Sequence, residues 1–203
     1  MSETKIIKIA NADPSALGLF GLVIVTLVAS SQKLGLTTGT SLVVPWAIFL
    51  GAFAQLFACI HDAKRQNLFG TTAFGAYALF WFGVAMSWMT QNGVFGAKMA
   101  ELSDVKQLSF AFLGYLIFTL VMTLAATETN KTLLTIFVLI DLLFIGLTLS
   151  TLGIAEHAMH SLAAYSELAI SAVSFYGFVV NILNGQFGYQ FLPFGKPLGI
   201  FKK

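Results

Sequence analysis

Two carboxylates fall where a bilayer would place its hydrocarbon. Asp141 lies in the middle of the apolar run Thr132 to Gly153, and Glu167 about two turns into the run Ser161 to Leu183. A charged carboxylate at the bilayer centre costs at least about 2.5–3.5 kcal/mol on insertion scales. Burial favours the neutral acid, so each is either a proton site or a neutral acid bonded to a neighbouring helix or subunit. Other polar residues recur at helical steps. Ser15, Leu19, Leu22, Thr26 and Ser30 share one face of the first run, and Gln55 sits mid-way along the second with Gly51 a turn before it. Thr72, Ala76 and Tyr77 lie near the start of the third, and Glu167, Ser171, Ser174 and Asn181 fall at steps of four, three and seven on the sixth. Stripes of this kind either line a wet path or knit helices together by hydrogen bonds.

The remaining candidates point to less chemistry. Glu156, His157 and His160 read as a solvated outer loop, and no metal site is expected there. His61 and Asp62, just before Lys64 and Arg65, read as an interfacial anchor. The chain carries no phosphate-cradling glycine loop and no nucleophile–base arrangement, and no lysine inside a span could hold a retinal Schiff base. Neither an enzyme nor a cofactor is expected.

Composition sets the class of element that must position these residues. The 203 residues are 57% hydrophobic and 10% charged, with a mean hydropathy of +0.84. Soluble domains carry about 25% charged residues, so the expected surroundings are lipid. A net charge of +2 argues against a nucleic-acid partner, and the single Cys59 forms no internal disulfide. No small-residue cleavage pattern ends a short apolar core near the start, so no cleaved signal peptide is expected.

Six runs approach the about 20 residues that a span needs. They are Ser15–Gln32, Ser41–Ile60, Phe69–Met89, Leu108–Thr127, Thr132–Gly153 and Ser161–Leu183. The expected fold class is an all-α integral membrane protein, six transmembrane helices in one compact bundle. Its divisions are an N-terminal segment (1–14), the six-helix domain (15–184) and a C-terminal tail (185–203). With the N-terminus inside, the inner segments hold Lys5, Lys8, Lys64, Arg65, Lys131, Lys196, Lys202 and Lys203, against Lys33, Lys98 and Lys106 outside. This eight-to-three excess predicts both termini in the cytoplasm.

Asp13-Pro14-Ser15-Ala16-Leu17-Gly18-Leu19-Phe20-Gly21-Leu22 opens the first helix. Proline suits a helix start, Asp13 can cap the free N–H groups, and Gly18 and Gly21 let a neighbour come close. This stretch resembles the N-terminal signature of the acetate uptake transporters, the succinate–acetate permease family. Three further stretches agree in order: Ala54-Gln55-Leu56-Phe57-Ala58; Asn67-Leu68-Phe69-Gly70-Thr71-Thr72-Ala73-Phe74 running on to Tyr77 and Trp81; and Leu183-Asn184-Gly185-Gln186-Phe187-Gly188 with Leu192-Pro193. The family usually has Asn where Asp13 stands and Pro where Ala16 stands, and some relatives have Glu at Asn181.

The resemblance implies a hexamer in which each six-helix protomer has its own pore. It implies passage of acetate, and in some members succinate, across the plasma membrane, channel-like or with a proton. Carried over by position, the pore constriction is Leu22, Tyr77 and Ile140, and Gln55 matches a pore-side Gln. The substrate pathway then takes in Pro14, Leu19, Thr26, Gln55, Thr72, Ser171, Ser174 and Asn181, with Asp141 and Glu167 as possible proton sites. Asp141 is about 100° round its helix from Ile140 and so faces a neighbouring helix. The alternative expectation is a pore for small neutral solutes, or ammonium export.

Overall fold

The computed structural model describes residues 12–201; Lys5, Lys8, Lys202 and Lys203 of the charge count lie outside them. The described residues are helical with no strand. Six helices are long and apolar enough to cross a membrane: α1 (Ser15–Lys33), α2 (Val43–Lys64), α3 (Leu68–Gln91), α4 (Lys106–Ala126), α5 (Lys131–Thr151) and α6 (Glu156–Phe187). The six expected spans and the all-α membrane fold class are therefore observed. The long link before α4 holds a short helix, Ala97–Glu101.

The ends of the helices follow local chemistry. Asn67 and Asn130 cap α3 and α5, their side-chain oxygens accepting from Gly70 N (3.1 Å) and Leu133 N (2.9 Å). Asp13 Oδ1 accepts from Ser15 N at 2.9 Å at the start of α1. The largest departure from expectation is α6, whose 32 residues extend about 48 Å, more than an about 30 Å hydrocarbon core. Glu156, His157 and His160 thus belong to its first turns and not to a loop.

Packing contacts arrange the helices as a ring in the order α1 to α6, with α6 back against α1 and α3–α4 the thinnest seam. The middle of α2, Ala47–Ala54, is π-helical, a wider turn that follows Pro45. There α1 comes so close that a Cβ on Gly21 would run into the Leu50 carbonyl; on its side toward α3, one on Gly18 would run into the Phe74 ring. α4 is the most peripheral helix. Phe110, Ile117 and Val121 on its outer face are exposed, a surface suited to lipid or to another subunit.

The chain beyond Phe187 is not a loose tail. Asn184 Oδ1 accepts from Phe191 N and Leu192 N, and Tyr176 OH donates to Pro193 O at 2.7 Å. Thr132 donates to Phe194 O through both its N–H and its hydroxyl, and Leu198 N donates to Thr127 O. This strap ties the end of α6 to the start of α5 and packs as part of the bundle.

Candidate functional site

Three helices, α1, α3 and α5, start on one face of the ring, and their first turns surround the mouth of a cavity of about 240 Å³. Asp13, Ser15, Asn67 and Asn130 supply its rim from those helix starts, Asn181 from α6, and Phe194 from the strap. Deeper in, the lining turns apolar: Leu19 and Leu22 from α1, Phe74 and Tyr77 from α3, Ile136, Phe137 and Ile140 from α5. Gln55 enters this depth from the end of the π-helical segment, buried and with its Nε2 unpartnered among the described residues.

Leu22, Tyr77 and Ile140 therefore line one space from three helices. Tyr77 is held there from α4. Thr119 Oγ1 donates to Tyr115 O at 2.7 Å, so it accepts the Tyr77 hydroxyl at 2.9 Å. Tyr115 OH in turn donates to Ala76 O, closing the α3–α4 seam beside the ring.

The other pathway candidates divide. Leu19, Gln55 and Asn181 line the cavity, and Pro14 is buried between the rim residues Asp13 and Ser15. Thr26, Ser171 and Ser174 lie outside the cavity lining. Thr26 Oγ1 donates to the Leu22 carbonyl of its own helix, and Ser171 Oγ donates to Val23 O, joining α6 to α1. Thr72 is corrected outright: it is exposed on the outer surface of α3. It stands five residues from Tyr77, about 140° round the helix, so both cannot face the cavity.

Asp141 and Glu167, the two possible proton sites, also lie outside the cavity lining. Asp141 Oδ2 accepts from Thr123 Oγ1 at 2.7 Å, between α5 and α4. Glu167 pairs with Lys33 Nζ at 2.9 Å, both largely buried, where α6 packs against α1.

Asp62 is the residue that the sequence reading misplaced. It is 0% exposed, not an interfacial anchor, and lines the cavity with both carboxylate oxygens unpartnered among the described residues. The missed signal was its spacing: Asp62 follows Gln55 by seven residues, two turns along one face. His61 points away, its ring 4.3 Å from that of Phe57. Asp13, the other carboxylate of the rim, pairs with Arg65 at 2.9 Å. Burial pushes the Asp13 carboxyl up, but the hydrogen bonds from Ser15 and the Arg65 guanidinium outweigh it and hold the group below the usual carboxylate range.

Such a cavity can take a small solute with a polar end at the rim and an apolar end at depth. An anion gains from the positive ends of three helices. It loses beside an ionised Asp62: two like charges about 4 Å apart repel by about 4 kcal/mol at an effective dielectric of about 20. No group of three or more metal-ligating side chains is gathered among the described residues.

Residues 2–196 match the GPR1/FUN34/yaaH family. The chain belongs to that family. It is 30% identical to the succinate-acetate/proton symporter SatP of Escherichia coli (strain K12), over 97% of this chain and 99% of that one. It is 26% identical to ammonia transport outward protein 2 of Saccharomyces cerevisiae (strain ATCC 204508 / S288c), over 92% of this chain and 67% of that one. The solved structure of the bacterial acetate channel SatP superposes with a TM-score of 0.84 at 26% identity, covering 92% of this chain and 100% of that chain. The resemblance noted in the sequence is thus family membership, and the family's six-helix fold is that of this multi-pass membrane protein.

Proposed function

We propose that the protein carries acetate, and other small carboxylates such as succinate, across the plasma membrane through the cavity and past Leu22, Tyr77 and Ile140. The observation that carries this reading is the cavity itself. Its rim is built from three helix starts and several amides, and its depth is apolar, a division that matches a molecule with a carboxylate at one end and a methyl at the other. No Lys or Arg lines it, so anion binding is weak, which suits passage more than storage. The names of the SatP relatives support the same substrate class.

In this reading the mouth and both termini face the cytoplasm, the orientation that the lysine and arginine asymmetry supports. Protomers assemble as hexamers, each with its own pore, through exposed apolar faces such as that of α4. Thr26, Ser171 and Ser174 line the route beyond the constriction when it opens. The second reading, export of ammonium or passage of a neutral solute, is favoured by the unpaired Asp62 and by the name of the yeast relative.

Uptake of labelled acetate into liposomes carrying the purified protein tests the proposal, after subtraction of uptake by protein-free liposomes. The expected result is uptake that succinate competes with and that Tyr77→Ala changes several-fold. Folded protein that adds nothing to empty liposomes would turn the reading to ammonium or a neutral solute.

A further inference from the structure

We propose that Asp62 is the proton-binding group of this cavity: as the neutral acid it admits a carboxylate ion to the constriction, and as the anion it excludes it. The inference rests on the carboxylate reading above and names the residue that sets when the path is open to an anion.

The position of Asp62 is built. Helix α2 continues to Lys64, which carries Asp62 inside the ring. A Cβ on Gly70 would run into the Asp62 carboxylate and come within 2.5 Å of Asn67 Nδ2, so glycine there makes the space that the carboxylate fills. The Asn67 side chain stands beside it, but its two oxygens accept no well-aligned hydrogen bond from the described residues, although each of the other buried or paired carboxylates has a partner: Asp13 has Arg65, Asp141 has Thr123 and Glu167 has Lys33. A buried acid aimed into a cavity with free lone pairs is placed to bond what enters it.

The surrounding charges leave Asp62 alone. Before α1 stands Asp13, whose negative charge is taken by Arg65. On its own helix Cys59, His61 and Lys64 are the other titratable groups. Helix α3 presents Asn67 at the rim and Tyr77 at depth, and across the cavity α5 and α6 present the neutral Asn130 and Asn181. No cation lines the space, and Arg65, the neighbouring cation that favours an ionised Asp62, is itself paired with Asp13.

The proton comes from hydronium on the mouth side, which is left as water. Asp62 holds the proton as O–H and donates a hydrogen bond to the entering carboxylate ion. It returns the proton to water when it next ionises, leaving the like charge that repels a following anion.

Equilibrium exchange of labelled acetate in liposomes, at equal pH inside and out and across a pH series, tests this with the full chain. Wild-type exchange, net of protein-free liposomes, is expected to fall as the pH rises. In Asp62→Asn that pH dependence is lost and exchange persists at high pH; in Asp62→Glu it is retained. A wild-type pH profile in Asp62→Asn overturns the inference while leaving acetate transport intact. No exchange by wild type or either variant sinks the transport reading instead. Infrared difference spectra then test Asp62 without transport, by a carboxylic-acid C=O band present at low pH and missing from Asp62→Asn. Absence of that band from the wild type, or its loss on adding ammonium chloride at fixed pH, overturns the inference, the second result making Asp62 a cation site.

Discussion

On either side of Leu22, Tyr77 and Ile140, the bundle treats its buried polar groups in opposite ways. On the mouth side Asp62 and the Gln55 amide nitrogen face a cavity with no protein partner among the described residues. On the far side Thr26, Ser30 and Ser171 donate to backbone carbonyls, and Lys33 closes on Glu167 at 2.9 Å. The Ser109, Thr148 and Ser174 hydroxyls are exceptions there, with no partner among the described residues. The Thr26 and Ser30 bonds stay within α1, whereas Ser171 and the Lys33–Glu167 pair tie α6 to α1. Polar groups left uncommitted are available to a passing solute, at a cost in stability. One bundle thus separates a region whose buried polar groups are mostly partnered from one whose polar groups face a cavity.

The largest effect expected from breaking this contrast is in the partnered half. Lys33→Met leaves Glu167 buried without its counter-ion, and thermal unfolding in detergent should show a loss of about 3–5 kcal/mol. Adding Glu167→Gln to it should restore most of the loss. Asp62→Asn, by removing a charge that has no partner, is expected to leave the unfolding midpoint unchanged or raised; an equal loss there would erase the distinction between the halves.

A smaller effect is expected at the boundary. Thr119→Val strands the Tyr77 hydroxyl and should cost about 1–3 kcal/mol, whereas Tyr77→Phe, which leaves Thr119 still donating to Tyr115 O, should cost less. Both should change acetate uptake if the Tyr77 ring sets the width of the constriction.

The smallest effect is expected at the rim, where Asp13 is 55% exposed. Asp13→Asn keeps a helix-capping side chain and loses only a solvent-screened ion pair, a difference below about 1 kcal/mol. Since the folded state holds the Asp13 carboxyl below its ordinary value, the stability it contributes is present at neutral pH. That contribution disappears as the pH falls through the lowered folded value. Unfolding midpoints of wild type and Asp13→Asn should therefore converge in acid.

The six spans were legible because each is a long apolar run that no soluble fold would tolerate, and the motif at Asp13–Leu22 carried the family. Placement of Leu22, Tyr77 and Ile140 on one cavity was legible through the resemblance, not through periodicity. Thr72 was placed on the pathway for its hydroxyl and its closeness in sequence to Tyr77, whereas the cavity face of α3 runs through Ala73 and Tyr77. Asp62 was misread because its neighbours Lys64 and Arg65 suggested a headgroup boundary. The helix continues through Lys64 and turns Asp62 inward while His61 stays outside. Lys33 and Glu167, 134 residues apart, gave no local sign of pairing.

The strap from Gly188 to Phe201 has a consequence for the order in which the molecule is made. The ribosome releases this stretch only after the sixth helix, yet it supplies Phe194 to the cavity rim and an acceptor to the first turn of α5. All six helices can be inserted while the rim is still unfinished, so the rim of the cavity is the last part of the protein to take shape.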